Sequence, residues 1–127
     1  APSSLLTGAS GRAILAYLSV DAIDQVMAAG KSDPAVRKAA PSRKALHDAL
    51  AEIRARGYAI TFGQRISGAV GIFAGVFDAR GDIMGCIGYT IPEQRYRKNL
   101  LPKLSGAVCR YAHTLSRALG HQQKISA

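Results

Sequence analysis

Tryptophan is absent from this chain, cysteine occurs twice, acidic residues number eight, and no apolar run approaches the roughly 20 residues of a membrane span. Each shortage excludes something. Cys86 and Cys109 have no second sulfur or histidine at ligand spacing, which rules out a disulfide scaffold and a thiolate metal site and fits a reducing, cytoplasmic setting. His47, His113 and His121 are equally isolated, so neither a metal nor a cofactor is expected. The opening Ala1-Pro2-Ser3-Ser4-Leu5-Leu6 lacks the basic flank and long apolar stretch of a secretion signal, and a soluble protein without membrane contact is expected. No Ser/His/Asp or Cys/His arrangement and no phosphate loop appears, so the sequence does not read as an enzyme, and Cys86 reads as a soft core or pocket residue.

The shortage of acid leaves 17 Lys and Arg against 8 Asp and Glu, a net charge of +9 that attracts polyanions. The cations are nevertheless dispersed, and the eight aromatics, five Tyr and three Phe, do not interleave with them as in a nucleic-acid-binding surface. Solvated helix faces are the preferred reading, and a small basic nucleic-acid-binding module is an alternative.

What is present is 127 residues, 48% apolar, enough for one domain over residues 1–127. Helices are expected over about 8–18, 20–29, 42–56 and 98–119, and strands over about 58–61, 70–77 and 83–91. The first helix opens on small residues, Gly8-Ala-Ser-Gly11. Ser19 caps the second, which Gly30 stops, and Lys31 to Ala40 is a connection. Ser42 caps the third, whose stripe is Leu46, Leu50 and Ile53 and where Glu52 can meet Arg56 one turn on. Phe62 to Gly68 is a polar loop, Asp78-Ala-Arg-Gly-Asp82 a three-residue hairpin turn with Gly81 at positive φ, and Glu93 to Lys98 a charged loop. The last helix carries Leu101, Leu104, Val108, Tyr111 and Leu115 as one stripe, and the tail from His121 is expected to fray.

The return strand has two unlike faces. Strict alternation puts Met84, Cys86, Gly88 and Thr90 on one and Ile83, Ile87, Tyr89 and Ile91, with Gly85, on the other. A face of small, soft and hydroxylic residues makes a poor core and suits close approach, either of another backbone or of a ligand. Pairing Asp78 with Asp82 across the turn sets Ile72 opposite Gly88 and separates Gly71 from Gly88. A bulge near Gly71 or Gly75 would return both to one side.

Several stretches carry a resemblance. Gly8-Ala-Ser-Gly-Arg-Ala-Ile-Leu-Ala16 is similar to an Ala-x-Gly-Lys-Ala-x-Leu-Ala segment, with Arg12 where lysine is usual. Arg56-Gly-Tyr58 follows a charged helix, and Gly68-Ala-Val-Gly-Ile-Phe-Ala-Gly-Val-Phe-Asp78 precedes a hairpin and then Pro92 and Arg95. In this order they resemble the effector-binding, C-terminal domain of the isocitrate lyase regulator (IclR) family of bacterial transcription factors, from about Thr7 to Leu119. The resemblance implies an α+β, GAF-like curved antiparallel sheet flanked by helices, truncated at its N-terminal strands. It also implies a regulatory domain of a homo-oligomer, dimer or tetramer, that senses a small-molecule effector. DNA would be bound only through a helix-turn-helix domain outside these residues. A dimerisation module without ligand is a further alternative.

The resemblance places effector contacts at Ala9, Ser10, Thr61, Gly71, Gly88 and Thr90, with Ala69, Phe73, Met84 and Cys86 as further pocket lining. A helix N-terminus at Ala9 and Ser10 suits a carboxylate. Family members that bind small oxo-acids commonly carry an acid near Thr61, a polar residue near Gly71 and serines near Gly88 and Thr90, and only Thr90 keeps that character. Missing side chains at Gly71 and Gly88 then point to an enlarged cavity and a bigger effector, such as an aromatic acid.

Overall fold

The computed structural model describes residues 8–31, 34, 41–62 and 68–121. Most of the connection over 31–40, the polar-loop residues 63–67 and the tail 122–127 lie outside the described residues.

Helix α1, Ala9–Leu15, buries Ala9, Gly11, Ala13 and Leu15, so its small residues let it lie close to whatever it covers. It ends earlier than expected, because Tyr17 and Leu18 close tight turns onto Ile14 and Leu15 and Ser19 then turns extended to cap the next helix. That helix, α2, spans Val20–Gly30, and the Ser19 hydroxyl accepts from the Ala22 N–H at 3.1 Å. Helix α3, Arg43–Arg56, is capped in the same way, Ser42 accepting from Ala45 at 3.2 Å, and it stops at Gly57, whose φ of 90° only glycine takes without strain. The expected Glu52–Arg56 pair does not form. Arg56 instead donates from Nε to the Tyr58 carbonyl at 2.8 Å and lies over the Tyr58 ring, while Lys44 and Asp48 make the helical ion pair at 2.7 Å. Asp24 ties α2 to α3, accepting from Arg43 Nε at 3.0 Å and lying 3.3 Å from His47 Nε2, and these bonds hold its carboxyl below the usual carboxylate range.

Strands β1 (Ala59–Phe62), β2 (Ala69–Phe77) and β3 (Ile83–Pro92) form an antiparallel sheet in that order, so the architecture is α+β. The hairpin is as expected. Gly81 takes φ 85°, and Asp78 Oδ1 accepts from the Arg80 and Asp82 amides at 2.9 and 3.0 Å. Two short 3₁₀ turns, Glu93–Arg95 and Lys98–Leu100, replace the charged loop and lead into α4, Leu101–Ala118.

The register corrects the simple alternation. Phe77 pairs with Ile83 but Val76 with Gly85, so Met84 is the extra residue of a bulge. Beyond it Gly75 faces Cys86, Phe73 faces Gly88 and Gly71 faces Thr90. Gly71 and Gly88 therefore share a face, and the bulge stands one residue past Gly75, at the hairpin end. Two assignments reverse with it: Ile83 turns its Cδ1 toward Gly75 and Tyr17, and Met84 is left 61% exposed. The physical gain is that the branched chain becomes half-buried while the flexible one is pushed into solvent.

Helix α1 lies across all three strands, and Leu15, Ile23, Leu46, Leu50 and Ile53 close the core behind it. Helix α4 covers the other face, where Ile72, Ala74 and Val76 meet Val108 and Ala112. Leu101, Leu104 and Val108 of the expected stripe pack there, but Tyr111 and Leu115 are 56% and 42% exposed, and the buried line continues through Ala112 and Ser116. The small residues win because they let the helix approach the sheet. Ser116 is the polar member of that line, donating to the Ala112 carbonyl at 2.8 Å and accepting the Phe77 N–H at 2.9 Å. Ser116→Ala leaves that strand amide without its partner, and urea unfolding should report a loss of about 1–3 kcal/mol.

Candidate functional site

The face of the sheet beneath α1 is laid out in rows. Thr61, Gly71 and Thr90 stand side by side on the three strands, then Ala59, Phe73 and Gly88, then Gly75 and Cys86. Two hydroxyls thus flank a glycine, about 10 Å apart across two strand spacings. The first turn of α1 sits over this row. A Cβ placed on Gly71 would lie 3.3 Å from the Ala9 Cβ, 3.5 Å from Thr61 Oγ1 and 3.7 Å from the Phe73 ring. Ala9, Ser10, Thr61, Gly71, Phe73, Cys86, Gly88 and Thr90 therefore belong to one neighbourhood. Ala69, opposite Pro92, lies at its border, and Met84 is outside it.

Thr61 is the chemically informative member. It is 5% exposed, yet its hydroxyl makes no hydrogen bond with any described residue. No buried side-chain oxygen or nitrogen among the described residues lacks a partner, so this hydroxyl reaches the surface of the site and is free to donate to a ligand. Thr90, on the edge strand, is exposed. Arg12, one turn into α1, is half-buried, and desolvation lowers its pKa. Burial raises the Cys86 thiol, opposite to the shift an activated thiolate needs.

The two glycines carry a correction. A Cβ on Gly88 would fall 2.0 Å from the Ile72 carbonyl oxygen and 2.6 Å from Phe73 Cγ, so strand β2 already fills that space. At Gly71 the neighbours Ala9, Thr61 and Phe73 stand 3.3–3.7 Å from an added Cβ, room for a methyl in close contact but for little more. Neither glycine opens a void, and the reasoning from an enlarged cavity to a bigger effector loses its footing.

Two hollows lie elsewhere. A cleft of about 800 Å³ runs along β2 beyond the end of β1, lined by Tyr17, Arg54, Arg56, Gly75, Arg110 and His113 among others. An apolar groove of about 270 Å³ between β3 and α4 is lined by Ile87, Gly88, Tyr89, Val108 and Tyr111. Sequence reasoning missed the cleft because its arginines are far apart along the chain; only the helix-end pair Arg54 and Arg56 and the one-turn spacing of Arg110 and His113 hinted at it. Among the described residues no three His, Cys, Asp or Glu converge as a metal site, and no helix is long and apolar enough to cross a membrane.

Comparison with known proteins bears on the whole arrangement. The chain is similar in structure to the Agobacterium tumefaciens repressor BlcR, at a TM-score of 0.75 and 25% identity over 92% of this chain and 48% of that one. It is also similar to the Thermotoga maritima IclR protein (TM-score 0.81, 22% identity, 92% and 47% covered) and to the C-terminal domain of the Escherichia coli transcriptional regulator KdgR (0.77, 21%, 92% and 71%). It spans about half the length of the first two. No curated protein matches it. Residues 2–117 match the family described as bacterial transcriptional regulator IclR C-terminal, and to that family the chain belongs.

Proposed function

We propose that this chain is the effector-sensing domain of a longer IclR-type regulator, taking a small organic acid between the first turn of α1 and the row Thr61, Gly71 and Thr90. The observation that carries this is the Thr61 hydroxyl beside Gly71 under α1, on a residue only 5% exposed, which takes no hydrogen bond from or to any described residue. Ala9 and Ser10 belong to the positive end of α1, Arg12 adds charge, and Gly88 and Phe73 form the next row. The crowding at both glycines favours an oxo-acid over a benzoate-sized one.

The domain does no chemistry on its ligand. An acid touching both α1 and the sheet is worth its differential affinity for the conformation in which the two are closed together, and that free energy biases the parent protein. The parent would act in the cytoplasm as a homo-oligomer and reach DNA through a separate helix-turn-helix domain.

Thermal-shift measurements with small oxo-acids, benzoate-type acids and uncharged aromatics test the reading. A ligand at a hundredfold over its dissociation constant adds about 2.7 kcal/mol of stability, readily seen as a rise in Tm. Thr61→Val should abolish that rise while leaving the unliganded Tm unchanged or slightly higher, since the lost hydroxyl bonds to no described residue. If no acid stabilises the wild type, the alternative of a dimerisation module with a filled core takes its place.

A further inference from the structure

We infer that the cleft beyond the end of β1 is a second ligand site, built for a compact oxyanion with two or more charges. Its position follows from strand length. The last pair of β1 with β2 is Ala59 with Phe73, so β2 from Ala74 to Phe77 has no described strand on that side. The cleft of about 800 Å³ occupies that gap, and Arg54, Arg56, Arg110, His113 and His121 line it without any Asp or Glu.

The guanidiniums at its rim are positioned. Arg54 Nη1 donates to the Ala16 carbonyl at 2.8 Å and Arg56 Nε to the Tyr58 carbonyl at 2.8 Å. Each bond uses one of five guanidinium donors and leaves the others for an oxyanion. Arg110 and His113, one turn apart on α4, make no side-chain hydrogen bond or ion pair with a described residue. The carboxylate of nearby Asp78 is already engaged by the Arg80 and Asp82 amides, while its carbonyl lies 3.1 Å from His121 Nδ1. Three guanidiniums therefore line a concave space with no Asp or Glu among the described residues around it, which a small di- or trianion would match. This site lies past the far end of β1 from the Thr61 row and does not depend on it.

Calorimetric titration of the chain with inorganic pyrophosphate and with citrate, at fixed ionic strength, separates phosphate from carboxylate sources of the same charge. Saturable binding of at least one is expected, weakened tenfold or more by the pair Arg110→Ser and His113→Asn. Lys103→Ser, an exposed charge outside the cleft, should leave that affinity within twofold, and so should Thr61→Val. The proposal is overturned if neither probe saturates, or if Lys103→Ser weakens binding as much as the cleft pair, which would mean that the net charge alone attracts the anion. It is also overturned if duplex DNA engages Arg110 and His113 while both small probes fail.

Discussion

Gly88→Ala is expected to destabilise the domain by about 3 kcal/mol or more. The added carbon would stand 2.0 Å from the Ile72 carbonyl oxygen and 2.7 Å from the Phe73 Cα. Both are backbone atoms of the central strand, so no side-chain rotation relieves the overlap, and β2 or β3 must move. Gly85→Ala is the matched control three residues earlier on the same strand. Nothing lies within 4 Å of its added carbon, and the change should be within about 0.5 kcal/mol of neutral. Denaturant unfolding of the two variants side by side checks the pair. Equal stability would mean that β3 does not run against β2 in this register.

Leu50→Ala should cost about 2–5 kcal/mol for a different reason. Leu50 is fully buried beneath α1 and α2 with Leu46, Ile53 and Ile23, where truncation leaves a cavity that three helices and the sheet hold open. Leu119→Ala removes the same atoms from a residue that is 48% exposed and should cost far less. Urea midpoints of the two, with unchanged m-values, test whether the core sits behind α1.

The parts of the fold legible in the sequence are those decided locally. Ser19 and Ser42 cap because the hydroxyl reaches an amide three residues on, and Gly57 and Gly81 sit at φ 90° and 85° where other residues would be strained. The hairpin's Asp78 likewise acts within its own turn. What was not legible depends on a competition between distant residues. The bulge falls at Met84, where Ile83 reaches over Gly75 toward Tyr17, a residue that no window around the turn contains. Helix α4 turns Val108, Ala112 and Ser116 inward, whereas counting large apolar residues selects Tyr111 and Leu115. Closeness of approach to the sheet decided that, and periodicity carries no information about it.

The candidate site divides in the same way. Resemblance brought Ala9, Ser10, Thr61, Gly71, Gly88 and Thr90 forward, and the bulge explains how Gly71 and Gly88 come to share a face. The glycines themselves, however, answer to packing against Ile72, Phe73 and Ala9, so the absence of a side chain is not the presence of a cavity. The distinction needed a backbone. The basic cleft was invisible for the converse reason, since Arg54, Arg56 and Arg110 come together only when α3 and α4 flank the stretch of β2 beyond β1.

The most direct test of the sensor reading is a backbone-amide NMR titration of the chain with a small oxo-acid. The account predicts saturable shifts concentrated at Ala9 to Gly11, Thr61, Gly71 and Thr90, lost in Thr61→Val. Shifts confined to Gly57, Gly75, Arg110 and His113, or none at saturating acid, would contradict it.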